Sequence, residues 1–155
     1  MDKNDSLVKM LSTFFYIGYL PFIPGTFASI FALFLFYLIK GNLFAYISLI
    51  FLLMLLGFLT TTKAEKIFAK KDPAMVVIDE VCGMLLSLVF VPYDLKLVIA
   101  GFGLFRIIDA VKPYPINKIQ NLRGSLGIMG DDILSGLYTN LILQIVARLI
   151  SFKAS

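Results

Sequence analysis

The sequence contains no histidine. That absence removes phosphohistidine chemistry, Ser-His-Asp hydrolysis and the common zinc sites, because each needs an imidazole as nucleophile, base or ligand. Any catalysis must rest on carboxylates, lysine, arginine, hydroxyls or a metal. Cysteine is nearly absent too. The lone Cys82 excludes an intramolecular disulfide, and its apolar neighbours suit packing better than reactivity. Charge is scarce: 15% of the 155 residues are charged and 59% are hydrophobic, with a mean hydropathy of +0.91. These values fall outside the range of ordinary soluble domains, whose helices need a charged face. No internal repeat, low-complexity tract or long linker divides the chain, so a single domain over residues 1–155 is expected.

The uncharged stretches are long. Met10 to Ile39 carries no charge, and neither do the 22 residues from Gly41 to Thr62, enough to cross a hydrocarbon core about 30 Å thick as a helix. The net charge of +4 comes from basic residues that flank apolar runs and form no concentrated patch, which fits membrane orientation and excludes nucleic acid as the partner. The opening Met1 to Leu11 mixes two lysines with two aspartates and leads into no small-residue cleavage site, so no removable signal peptide is expected.

The expected fold is all-α: a compact membrane bundle of about four to five apolar helices with an interfacial or re-entrant N-terminal segment over Leu11 to Leu20. Pro21, Pro24 and Gly25 break the first apolar run and start a helix near Thr26. Spans are expected at Phe27–Ile39, Gly41–Thr62, Ala74–Val91, Leu97–Val111 and Ile133–Ile150, with a short tail carrying Lys153. Lys63 to Asp72 holds four lysines and is the most basic connection, which places it in the cytoplasm. Lys112 to Asp132, with Lys112, Lys118 and Arg123, becomes a second cytoplasmic connection.

Against this apolar background the acids stand out. Asp79 and Glu80 are adjacent in a segment otherwise without charge, and an ionised carboxylate facing lipid costs at least ~2.5 kcal/mol on insertion scales. Either they face a cavity, a partner or an ion, or they form the solvated first turn of a helix that Pro73 helps to start. Arg106, Asp109 and Lys112 share one helix face at successive spacings of three, as an ion network near the interface or as a phosphate site. Asp131 and Asp132 follow the glycine-spaced Gly124-Ser-Leu-Gly-Ile-Met-Gly and read alone as the cap and acidic first turn of the last helix. Gly83 and Gly136 each lie four residues after an acid, where a small side chain permits close helix approach. The expected topology brings all these groups to the cytoplasmic side with the helix start at Pro24-Gly25-Thr26. Gathered carboxylates without histidine describe a hard-cation site suited to Mg²⁺, which commonly serves phosphate substrates. The amides and hydroxyl at Thr26 suit phosphate oxygens.

At these residues the sequence resembles the phosphatidylglycerophosphatase A family of bacterial membrane phosphatases. The matching pieces are Gly18-Tyr-Leu-Pro-Phe-Ile-Pro-Gly-Thr-Phe, Asp72-Pro with Val77-Ile-Asp-Glu-Val-Cys-Gly-Met, Gly103-Leu-Phe-Arg-Ile-Ile-Asp-Ala-Val-Lys-Pro-Tyr-Pro-Ile, and Gly127-Ile-Met-Gly-Asp-Asp-Ile-Leu-Ser-Gly. They occur in the family's order over roughly residues 15 to 147. Ala28 and Gly130 depart from the pattern, the second where a larger apolar residue is usual and where a looser turn would result. The resemblance implies Mg²⁺-dependent hydrolysis of phosphatidylglycerol phosphate to phosphatidylglycerol and inorganic phosphate, in the bacterial cytoplasmic membrane, with the active site toward the cytoplasm. On that basis Asp79, Glu80, Asp109, Asp131 and Asp132 are expected to supply the general base and the metal ligands, the latter from Asp79, Glu80, Asp131 and Asp132. Arg106, Lys112, Gly25 and Thr26 are expected to bind the substrate phosphate. A small cation- or proton-coupled transporter using Asp79 and Glu80 is the alternative, and it leaves Arg106, Lys112 and the second acid pair without a role.

Overall fold

The structure, a computed structural model, describes residues 3–153, with side chains to residue 150. The expectations for residues 1, 2 and the last two of the C-terminal tail lie outside the described residues. Seven α-helices and one 3₁₀ turn make up the fold, with no strand among the described residues: α1 Lys3–Ser12, the turn Ile17–Tyr19, α2 Pro24–Ile39, α3 Leu43–Phe68, α4 Ile78–Ser87, α5 Leu95–Val111, α6 Ile116–Ile119 and α7 Ser125–Lys153.

Local chemistry sets most of these limits. Pro24 occupies the first turn of α2, where its missing N–H costs nothing. Asn42 caps α3 by accepting from the Ala45 amide at 3.0 Å, and Asp94 caps α5 by accepting from the Lys96 amide at 2.7 Å. Ala69 and Lys112 end α3 and α5 in the left-handed conformation, at φ 50° and 46°, and Pro113 forbids continuation of the second.

The short helix α4 is the centre of the molecule. Eight of its ten residues are buried, because α2, α3, α5 and α7 pack around it. The α4–α7 crossing is so close that a Cβ on Gly83 would stand 2.6 Å from the Asp132 carbonyl oxygen, and one on Gly136 would stand 2.4 Å from that of Gly83. Each glycine is therefore required by the partner backbone, as the small-residue spacing anticipated. At the other end of α4, the Asn140 side chain donates to the Ser87 and Val89 carbonyls, and the Tyr46 hydroxyl donates to that of Leu85. These bonds satisfy the free carbonyls of a helix end that lies in the interior.

Two helices, α3 and α7, are long and apolar enough to cross a bilayer, fewer than the four to five expected. The outer face of α3 exposes Phe44, Phe51 and Leu59, as a lipid-facing surface does. The segment Ala74–Val91 is not a span: its helix covers only Ile78–Ser87, about 15 Å at 1.5 Å per residue, and it is apolar because protein surrounds it. Helix α3 also runs on through Lys63 to Phe68, so the basic connection is shorter than expected. Helix α7 starts at Ser125, eight residues before Ile133, and continues to Lys153 without a separate tail there.

Candidate active site

Four helix ends meet at one end of the bundle: the starts of α2 and α4, the finish of α5 and the first turns of α7. Helix α4 brings Asp79 and Glu80 in its first turn, as one sequence reading had it, but Asp79 is only 6% exposed and Glu80, though half-buried as a residue, has its Oε2 covered. Asp131 and Asp132 are not a cap. They lie in the second turn of α7, each 3% exposed, because the helix runs straight through Gly127 and Gly130. A Cβ on Gly130 would meet Ile119 Cγ2 at 2.7 Å, so this glycine admits α6 and loosens no turn.

Carboxylate oxygens of Asp79, Glu80 and Asp132 lie within 4.8 Å of one another. Asp79 Oδ1 and Glu80 Oε2 are buried with no hydrogen-bond partner. Burial, then the charges of Glu80 and Asp132, push the Asp79 carboxyl well above its usual range. Burial also pushes Glu80 up to about 7, with Asp109 adding to the effect and the Asp79 hydrogen bond and Arg106 opposing it. Three acids placed so that none ionises easily are held either protonated or beside a compensating positive charge. An all-oxygen donor set with unfilled lone pairs suits a hard divalent ion such as Mg²⁺.

The other two acids have different partners. Arg106 Nη1 donates to Asp109 Oδ2 at 2.9 Å, and Lys112 Nζ donates to Asp109 Oδ1 at 3.2 Å and to Asp131 Oδ2. Asp131, grouped with Asp132 in the sequence, is thus turned to the lysine, since adjacent helical residues point about 100° apart. Burial alone would lower Lys112, but the Asp131 hydrogen bond and the charges of Asp131 and Asp109 outweigh it and hold the ammonium above its ordinary range. Arg106 and Lys112 each retain further N–H groups for an anion.

Gly25 lies against both halves. A Cβ there would stand 2.0 Å from Glu80 Oε1 and 3.4 Å from Arg106 Nη1. Thr26 is half-buried beside it, with its amide engaged by the Ile23 carbonyl at 3.0 Å, so this amide is not free for a phosphate as expected. Cys82, one turn past Asp79, is fully buried, and burial pushes its thiol up to about 12, which keeps it inert and suits packing. The sequence did not reveal that Gly25 makes room for Glu80, nor that Asp131 pairs with Lys112. The nearest signals were the glycine inside a helix start and the lysine placed just before Pro113.

Clustered carboxylate oxygens on one side, with fixed cationic donors on the other, are equipment found in enzymes that act on phosphate esters. The match to the family model of phosphatidylglycerophosphatase A, over residues 10–147, narrows this class: the chain belongs to that family and is a lipid phosphatase. Its relatives agree on a lipid phosphate and differ on the headgroup. A Bacteroides thetaiotaomicron protein with the provisional name phosphatidylinositol-3-phosphatase is 37% identical over 96% of this chain and 98% of its own. Phosphatidylglycerophosphatase A of Escherichia coli is 34% identical over 90% of this chain and 83% of its own, and that of Haemophilus influenzae 32% over 84% and 83%. No solved structure matches the chain.

Proposed function

We propose that the protein hydrolyses the phosphate monoester of phosphatidylglycerol phosphate, with Mg²⁺ held by Asp79, Glu80 and Asp132. The observation that carries this reading is the trio of clustered carboxylates, two of whose oxygens are buried with no donor, set beside an arginine and a lysine. Bound there, Mg²⁺ would draw charge from the phosphate and acidify a water. Arg106 and Lys112 bind the phosphate oxygens and offset the charge that grows on them in the transition state. Asp109 bridges both cations and fixes their spacing, while Asp131 keeps Lys112 protonated. The start of α2 adds the partial positive charge of a helix N-terminus. Direct attack by water is the proposed route. A turnover of lipid carrying radiolabelled phosphate, quenched in acid, tests it, because phosphate left on the protein would mean an aspartyl-phosphate instead.

The protein spans the bacterial cytoplasmic membrane with this site toward the cytoplasm. Lys63 and Lys66 in the last turns of α3 and Lys70 and Lys71 just after it lie toward the site's end of the bundle, and Lys118 and Arg123 precede α7 there, so the basic residues concentrate on the side that the positive-inside rule assigns to the cytoplasm. The Bacteroides relative supports a second reading, in which the headgroup is inositol 3-phosphate. Phosphate release by the purified protein, measured on both lipids under the same conditions, decides between them. The phosphatidylglycerol phosphate reading expects the higher kcat/KM on that lipid. A preference for the inositol lipid would replace it, and release from neither, with ion movement in vesicles, would favour the transporter.

A further inference from the structure

We propose that the cleft between α2 and α5 holds one acyl chain of the substrate lipid while its phosphate sits at Arg106; the proposal rests on the lipid phosphatase reading above. The two helices run antiparallel. Gly25 of α2 meets Arg106 of α5 at the site, and further down Tyr37 of α2 and Leu95 of α5 line the same cavity. On α5, Leu95, Ile99, Gly103 and Arg106 recur at spacings of four, four and three, which stacks them in one row under the guanidinium. From Arg106 back to Leu95 this row is about 16 Å long at 1.5 Å per residue, the scale of a lipid chain.

Three features make the row an open groove and not a packed seam, with Leu95 and Ile99 themselves exposed. A Cβ added at Gly103 would meet nothing within 4 Å, so the side-chain layer is missing one turn below Arg106. Below that, a cavity of about 480 Å³ opens between the helices, walled by Leu33, Val98 and Ile99 among others. Its far end carries polar groups: Asp94 at the start of α5, and Lys40, which lies over the rings of Tyr37, at 4.1 Å, and Tyr93, at 5.7 Å. A cationic head in line along α5 with an apolar cleft is complementary to a phosphate joined to a hydrocarbon chain.

Gly103→Phe fills the gap with a ring, and because the position is helical and a Cβ there meets nothing within 4 Å, the residue suits the helix better than glycine. Ile99→Asn places an amide in the cavity wall. Rates are compared on long-chain phosphatidylglycerol phosphate in mixed micelles and on a short-chain, water-soluble analogue, with Leu55→Phe on the outer face of α3 as the control. Both cleft variants are expected to raise KM for the long-chain lipid about tenfold, equivalent to the loss of about two buried methylenes, and to leave the short-chain rate unchanged. The unchanged short-chain rate also shows that the variants fold. An unaltered long-chain KM, or an equal loss on both substrates, would overturn the proposal. If the wild type hydrolyses neither substrate, the phosphatase reading itself fails and the cleft assignment falls with it.

Discussion

Gly25 and Glu80 are matched in space: the carboxylate of one occupies the volume where the other would carry its Cβ, at 2.0 Å. Gly25→Ala therefore displaces the Glu80 carboxylate from Asp79 and Asp132. Because a misplacement of about 1 Å in a reacting group can cost about 100-fold, kcat is expected to fall by ~10- to 100-fold. The thermal midpoint should change little, since the atom that must move is the far end of a flexible side chain. Steady-state rates and thermal unfolding of the same sample check both halves.

At the α4–α7 crossing the obstacle is backbone, and the expectation reverses. Gly83→Ala or Gly136→Ala must push the helices apart, at an overpacking cost of about 1–3 kcal/mol. Both should lower the unfolding midpoint and the activity together. Gly41→Ala, where a Cβ meets nothing within 4 Å, should lower neither. A Gly136→Ala protein as stable as the wild type would contradict the crossing geometry.

The division between cation-holding and phosphate-holding residues predicts two kinds of kinetic defect. Glu80→Gln should raise the Mg²⁺ concentration needed for half-maximal rate by at least about tenfold, as loss of a charged ligand does. Lys112→Met should leave that concentration nearly unchanged and lower kcat by about 100-fold or more. Asp131→Asn should fall with Lys112→Met if its task is to hold the lysine. An Mg²⁺ dependence shifted by Asp131→Asn as much as by Glu80→Gln would make it a ligand after all.

A cation held by Asp79, Glu80 and Asp132, as proposed, would compete with protons for the same oxygens. Glu80 titrates near 7 in the folded chain against an ordinary 4.5, so the folded protein binds more protons than the unfolded one between those values. Stability from this group is present below about pH 4.5 and is lost as pH rises through about 7. In chelator, the unfolding midpoint should fall from about pH 5 to pH 8. Added Mg²⁺ should restore it most at the upper end, where the carboxylates are free to bind. Calorimetry at fixed ionic strength with and without Mg²⁺ tests the sign.

Much of the site was legible because its residues are expensive where they stand. Carboxylates at 79, 80, 131 and 132 in apolar helices announce an ionic purpose, and Pro24 and Pro113 mark helix limits by local rules. What the sequence concealed depends on tertiary contact. Residues 74–91 are apolar whether lipid or protein surrounds them, so a buried ten-residue helix passed for a span. Gly127 and Gly130 resembled a loop before α7, yet they are helical and small because the Leu122 carbonyl and Ile119 press against them. Asp131 and Asp132 are neighbours in the chain, and only the helix turns one to Lys112 and the other to Asp79 and Glu80.

The most direct test of the central claim is the rate of phosphate release from short-chain phosphatidylglycerol phosphate as Mg²⁺ is titrated, for the wild type and for Asp132→Asn. The wild type should be inactive in chelator and saturate with Mg²⁺, and Asp132→Asn should need at least about tenfold more of the ion or stay inactive. Full activity in chelator, or an Asp132→Asn curve that overlies the wild type, would contradict the assignment of the buried acids as the cation site.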